Sequence, residues 1–244
     1  MIRAENLGIT LGGRKILTDI NASFLPGVPN LVIGASGSGK SVFLKCLVGL
    51  LTPQEGKIIY ENHDFLSLDY EGKQELRKQI GMLFQNNALF DSLTVEENVE
   101  FPLKMFSNMS KEERKHRVND CLAKVNLVNS NHKFPAEISG GMKKRVGIAR
   151  AIALPIKYLF CDEPNSGLDP LTSRVIDELI LQITTDLKIT TVINSHDMKT
   201  VSDIGENIIF IYQGQKWWEG SRSQIAAARS ENEQLDQFFK ASFS

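Results

Sequence analysis

The chain has 244 residues, and its 28 Lys plus Arg against 29 Asp plus Glu leave a formal net charge of −1. With 42% hydrophobic and 23% charged residues it has the composition of a globular chain, which excludes a disordered one. The near-zero charge gives no electrostatic reason to expect nucleic acid as a partner, and Cys46, Cys121 and Cys161 lack CxxC spacing, which excludes a complete disulfide framework or a zinc ribbon and suits a reducing compartment.

The Met1 end is expected to carry no signal peptide, because Arg3, Glu5 and Asn6 interrupt any apolar run. No stretch approaches the ~18 uncharged apolar residues that span a bilayer. Residues 2–11 and 15–24 alternate in polarity around Gly12-Gly13 and predict an antiparallel hairpin. Residues 30–33 form a short apolar run ending at Gly34, the pattern of a strand buried on both faces. Residues 41–51 carry Phe43, Leu44, Leu47, Val48 and Leu51 at helical spacing. Further buried strands are expected at residues 80–84, 158–161, 190–194 and 207–212, with helical patterns between the later ones. Such alternation predicts an α/β fold, a parallel sheet with helices on both faces. Residues 86–136 show no clear strand and include the charged run Lys111-Glu112-Glu113-Arg114-Lys115; they predict a helical insertion starting near Thr94. The polar C-terminus spaces Leu235, Phe238, Phe239 and Phe243 for an amphipathic helix, expected to dock on the chain itself or on a second copy.

Gly34, Ala35, Ser36, Gly37, Ser38, Gly39, Lys40 and Ser41 satisfy GxxxxGK[ST] between a predicted strand and a predicted helix, the context that motif requires. The glycines let backbone N–H groups converge on phosphate oxygens, and the helix N-terminus adds partial positive charge. Lys40 can reach the β- and γ-phosphates, and Ser41 can ligate Mg2+. The strand at residues 158–161 runs into Asp162 and Glu163, two adjacent acids that imply a nearby cation. Asp162 can hold Mg2+ through water, and Glu163 can orient or deprotonate an attacking water. His196 follows the apolar run at the carboxyl end of a predicted strand, where open α/β sheets place ligands. Ser139, Gly140 and Gly141 open a helix whose first turn carries Lys143, Lys144 and Arg145, the wrong sign for its own dipole. That pattern reads either as a glycine turn with a surface basic cluster or as a second anion site, whose anion would be the nucleotide of another copy.

With these motifs on the page, the chain resembles the ATP-binding subunits of ABC transporters along essentially its whole length. The phosphate loop, a glutamine loop at Gln85, the signature Ser139-Gly140-Gly141, the acidic strand end Asp162-Glu163, the loop Ser166-Gly167-Leu168-Asp169 and His196 occur in the family's order. The resemblance implies a P-loop ABC-ATPase fold with a RecA-like core, an N-terminal antiparallel β subdomain and an inserted helical subdomain. The expected divisions are 1–85 with 137–229 as core, 86–136 as helical subdomain and 230–244 as tail. It also implies ATP and Mg2+ as ligands and a head-to-tail homodimer sandwiching ATP. Gln85 would then sense Mg2+ and the attacking water, His196 would contact the γ-phosphate, and Asp169 would cross the dimer interface. Ser139, Gly140 and Gly141 would close on the other copy's γ-phosphate.

A finer similarity, in residues 82–95, Glu97-Asn98-Val99, Phe101-Pro102-Leu103, Met142 and residues 147–154, is to the Mla/Mce-type lipid-transport ATPases. It implies a membrane permease, an Mce-domain lipid-binding protein, and a place on the cytoplasmic face of a bacterial inner membrane. The reaction expected is ATP hydrolysis driving phospholipid or other lipid movement between inner membrane and outer envelope; another ABC importer or exporter, or a cell-division-type scaffold, is the alternative. Two departures from the broad pattern stand out. Met142 replaces the usual glutamine, and a thioether cannot donate a hydrogen bond. The position that often stacks an aromatic on adenine falls near Leu11, which gives no ring stacking. Modest base selectivity is therefore expected; affinities for ATP and GTP within about tenfold of each other would bear this out, since one good contact changes affinity on that order, and a strong preference for ATP would refute it.

His63, His116 and His132 lie in polar stretches without metal-ligand spacing and read as surface residues. Trp217 and Trp218 flank an expected hairpin turn at Gln213-Gly214. Phe84, Leu89, Phe90 and Phe101 fit either the core of the helical insertion or a groove for a permease helix.

Overall fold

The computed structural model describes residues 1–242, and Phe243, assigned above to the C-terminal helix, lies outside them. Two sheets organise the chain. Strands β1 (Ile2–Leu11), β2 (Arg14–Phe24), β4 (Glu55–Tyr60) and β5 (His63–Asp64) form an antiparallel sheet in the order β2-β1-β4-β5. The second sheet has the order β10-β9-β3-β8-β7-β6, from β3 (Pro29–Ile33), β6 (Ile80–Leu83), β7 (Tyr158–Asp162), β8 (Thr190–Ser195), β9 (Asn207–Tyr212) and β10 (Gln215–Gly220). The strands from β9 through β6 pair in parallel, and β10 joins β9 antiparallel across the turn at Gln213-Gly214.

Alternation along the strands decides which helix covers which face. Leu31, Ile33, Leu159, Cys161, Ile193, Ile208 and Phe210 point to one side of the parallel sheet. There they meet α5 (Gly140–Ala151), α6 (Pro170–Leu187) and α7 (Met198–Ile204). Val32, Phe160, Val192, Ile209 and Ile211 point to the other side, where α1 (Lys40–Leu47) is buried between the two sheets. Cys46, Cys121 and Cys161 are all free and buried, and burial pushes the Cys46 thiol up to about 12 and those of Cys121 and Cys161 up as well.

The helical insertion contains α3 (Val95–Phe106) and α4 (Lys111–Lys124). Each starts at a capping box, Thr94 with Glu97 and Ser110 with Glu113, which satisfies two N-terminal amides reciprocally. Three elements depart from the sequence reading. Helix α2 (Tyr70–Lys78) buries no residue and so carries no apolar stripe to detect. Strands β4 and β5 are also new; β4 pairs with the exposed flank of β1, and its first three residues face solvent. The predicted helix at 41–51 ends earlier, at Leu47, because Gly49 takes φ +73°.

At the C-terminus, α8 (Ile225–Glu231) leads to α9 (Glu233–Ser242). Leu235 and Phe239 are buried, and Phe238 packs on Phe210 with ring centroids 5.3 Å apart. Arg229 holds Asp236 at 2.8 Å. The tail therefore docks on its own chain. No helix among the described residues is long and apolar enough to cross a membrane.

Candidate nucleotide site

A cavity of about 1010 Å3 opens at the carboxyl ends of the parallel strands. Its floor is the loop after β3. Gly34 turns there with φ +152°, and a Cβ at that position would collide with the Ile211 carbonyl and the Ser38 hydroxyl. Only glycine lets the loop lie this close to β9. The Lys40 side chain folds back over the loop and donates to the carbonyls of Gly34 at 2.8 Å and Ala35 at 3.1 Å. Burial lowers the Lys40 pKa, opposed by the nearby Glu163 and Asp162 carboxylates. The hydroxyl of Ser38 is buried without a hydrogen-bond partner. A buried polar atom of this kind at a loop of convergent amides calls for an added acceptor, and a phosphate oxygen supplies one.

The two acids sit at the end of β7, beside the loop. Ser41 Oγ donates to Asp162 Oδ1 at 3.0 Å, and Asn194 Nδ2 donates to the same oxygen at 3.1 Å. Asn194 Oδ1 is buried and unpaired. A hydroxyl beside a carboxylate is an oxygen donor set of the type Mg2+ takes, so the residues present fit that ion. Glu163 takes a left-handed φ of +49°, uncommon for a bulky residue. Three contacts hold it there. Its N–H donates to the Asn194 carbonyl at 3.1 Å, Lys144 Nζ donates to its carbonyl at 3.5 Å, and its Oε2 lies 2.7 Å from His196 Nδ1. That last contact makes Nδ1 the donor, and Nε2 can donate to a phosphate oxygen only when the ring carries both protons. Gln85 lines the same cavity, with its amide donating to Ser166 Oγ at 3.4 Å rather than reaching Ser41 or Asp162.

The signature residues lie elsewhere. Ser139 caps α5, accepting from the Met142 N–H at 3.3 Å, and Asp169 caps α6, accepting from the Leu171 and Thr172 amides at 3.0 Å each. The Thr172 hydroxyl, first, and these amides lower the Asp169 pKa. Among the described residues, Ser139, Gly140, Gly141 and Asp169 do not line the cavity that holds Lys40 and Glu163. Ser139, Gly140 and Asp169 are exposed.

Two sequence expectations need correction. Lys144 does not belong to an outward basic cluster: it is 2% exposed and turned inward, with its pKa lowered by burial. Leu11 does not line the cavity; Ile16 of β2 and Phe238 and Ala241 of α9 do. Spacing from the phosphate loop could not show either, because both depend on how distant elements pack. A further group went unread. Asn165 donates to Asp177 Oδ1 at 2.9 Å and to Thr200 Oγ1 at 3.0 Å, and Thr200 donates to Asp177 Oδ2 at 2.9 Å. This buried network pins the turn after Glu163 to α6 and α7.

Burial pushes the Asp177 carboxyl up to about 6, against the pull of Asn165 and Thr200. A raised carboxyl pKa means that the folded state holds the proton longer than the unfolded one. Its stabilising contribution is complete below the ordinary value of 3.8 and is lost as pH rises towards about 6. An amide in place of this carboxyl cannot titrate, and the Thr200 hydroxyl can turn from donor to acceptor for it. Asp177→Asn should therefore gain on the native chain by up to ~3 kcal/mol between pH 4 and pH 7. Denaturant unfolding of both chains at the two pH values measures this, and an unchanged gap would count against it.

The ABC transporter family model matches residues 17–166 of the chain. The chain belongs to the ABC transporter family. Among curated relatives, the "Probable ribonucleotide transport ATP-binding protein mkl" of Mycobacterium bovis is 36% identical over 212 residues, 87% of this chain and 59% of its own length. This chain thus spans about three fifths of that relative. The methionine import ATP-binding protein MetN of Campylobacter jejuni is 38% identical over 241 residues, 92% of this chain and 72% of its own length. The ATP-binding cassette MJ0796, solved as a dimer bound to ADP and Pi, superposes with a TM-score of 0.82 at 31% identity, covering 91% of this chain and 98% of that one. CbiO1 of Clostridium perfringens, part of an ABC transporter complex, superposes at 0.86 with 28% identity, covering 94% and 92%. The two-sheet architecture is that of these ABC ATPases, as the sequence motifs implied.

Proposed function

We propose that this chain is the ATP-hydrolysing subunit of a bacterial ABC transporter, acting as a homodimer on a membrane permease at the cytoplasmic face of the inner membrane. The observation that carries this reading is the meeting of Lys40, Ser41, Glu163 and His196 around one cavity, with Asp162 bonded to Ser41 beside it. Residues 1–85 and 137–229 act as the nucleotide-holding core, 86–136 as the lobe facing the permease and 230–244 as the tail. Lys40 and the amides of residues 37–41 hold the phosphates. Ser41 and Asp162, with Gln85 closing in, hold Mg2+, which when bound neutralises charge on the β- and γ-phosphate oxygens. Glu163 takes a proton from water as its oxygen bonds to the γ-phosphorus, the bond to the β-phosphate oxygen breaks, and ADP leaves with that electron pair. His196, when its ring carries both protons, donates to the Glu163 carboxylate through Nδ1 and to a γ-phosphate oxygen through Nε2. Ser139, Gly140, Gly141 and Asp169 serve the nucleotide of the second copy, which accounts for their place away from the chain's own cavity and for the exposure of Ser139, Gly140 and Asp169.

A groove of about 1060 Å3 between the helical lobe and the core is the surface we assign to the permease. Phe84, Phe90 and Phe101 line it, with Phe90 and Phe101 exposed and their ring centroids 4.7 Å apart. Leu89 instead packs against the core. The cargo we propose is a lipid, phospholipid first, carried with an Mce-domain protein, on the similarity of residues 82–95, 97–99 and 101–103, Met142 and residues 147–154 to lipid-transport ATPases. The names of the curated relatives favour a second reading, import of methionine or transport of ribonucleotide. A passive cell-division scaffold is disfavoured by the intact Glu163–His196 pair. Purifying tagged Glu163→Gln protein from native membranes in mild detergent separates these readings. A permease with an Mce-domain protein and bound phospholipid supports the lipid reading; a permease with a soluble-substrate binding protein replaces it; division proteins alone would return the scaffold.

A further inference from the structure

Helix α5 grips the glutamine loop at two points. Lys144 Nζ donates to the Gln85 carbonyl at 2.5 Å, and Arg150 donates to the carbonyls of Asn87 at 2.6 Å and Ala88 at 2.7 Å. Asn87 and Ala88 both take left-handed φ, so this turn is held in an uncommon shape from one helix. Gly147 lies between the two grips, and a Cβ there would approach Leu83 to 2.7 Å, which shows how closely α5 packs on β6. Lys144 makes a second connection, to the Glu163 carbonyl. Its hydrogen bonds go to main-chain carbonyls of two different loops.

A buried ammonium is tolerated only while its hydrogen bonds are kept. Moving α5 away from either loop would strand that charge, so the three segments shift together. The same helix presents Ser139, Gly140 and Gly141 one turn earlier, at its exposed end. The geometry points to Lys144 as a positioning residue that couples the signature end of α5 to the Gln85 loop and to the Glu163 turn. Engagement of a second copy's nucleotide at Ser139 would thereby reorient Glu163 on the same chain, linking the two sites of the dimer. The inference rests on the proposed roles of Glu163 and of the ATP-sandwich dimer.

The test is steady-state hydrolysis by the full chain with ATP and Mg2+, comparing native, Lys144→Met, Lys144→Arg and Glu163→Gln. Lys144→Met keeps the length of the side chain and cannot donate. Its kcat should fall on the order of tenfold or more while KM for ATP stays within about threefold, because the loss is not in nucleotide binding. Its Hill coefficient should drop from above one towards one, the sign of lost coupling between sites. Lys144→Arg, which still donates, should restore both. A loss of kcat with an unchanged Hill coefficient would reduce Lys144 to a structural residue, and native cooperativity in Lys144→Met would overturn the coupling. If Lys144→Met does not fold, Lys144→Leu, which likewise cannot donate, carries the same comparison. Hydrolysis by Glu163→Gln at the native rate would instead remove the general-base reading on which the coupling stands.

Discussion

Glu163→Gln should bind ATP as the native chain does and fail to turn it over. The amide keeps the shape of the side chain and can still pair with His196 Nδ1 through its oxygen, so the geometry around the 2.7 Å contact survives. It cannot accept a proton from water. A positioned general base contributes ~10²–10⁴-fold, so kcat should fall by about that factor. ATP then stays bound, and the dimer that ATP closes should accumulate. Size-exclusion chromatography with ATP and Mg2+ should show a dimer for Glu163→Gln that native protein populates only briefly. Turnover at the native rate would place the base elsewhere, with His196 the next group to test.

Lys40→Met should act one step earlier, at binding. In the free protein the ammonium is parked on the carbonyls of Gly34 and Ala35, within the loop that receives the phosphates. It is already largely desolvated, so an arriving anion gains its charge without first stripping much water from it. Methionine preserves the stem and removes the charge. Each hydrogen bond to a charged group contributes about 1.5–3 kcal/mol, and tenfold in affinity corresponds to about 1.4 kcal/mol. Two such contacts make the expected loss of ATP affinity on the order of 10²-fold or more. Calorimetric titration of native and variant chains measures it. Affinity within about threefold of native would show that the backbone amides alone hold the nucleotide. The two substitutions thus separate: one keeps binding and loses turnover, the other loses binding.

What could be read from the sequence was what depends on neighbours along the chain. The phosphate loop needs only eight consecutive residues, and β3 and α1 flank it as the motif demands. The acids at the end of β7 follow from an apolar run meeting two carboxylates. Thr94 marks the start of α3 by capping chemistry that is local. Helix α2 escaped because it buries no residue and only Leu76 leans on the core, and β4 because half of it meets solvent. Lys144 escaped for a different reason. Three basic residues in a row look like a surface cluster, and only the packing of α5 under β6 turns the middle one inward. Phe238 and Ala241 reach the cavity from the other end of the chain, a placement that no local pattern encodes.

The three cysteines carry a practical consequence. All are buried, and burial holds each in its thiol form, so maleimides and spin-label reagents, which react with the thiolate, find poor targets among them. A single cysteine introduced at an exposed position, such as Ser202 on α7 or Lys115 on α4, would then be labelled selectively without first removing the native ones. Pairs of such labels on two copies would report the separation of the helical lobes and the cores through the ATP cycle.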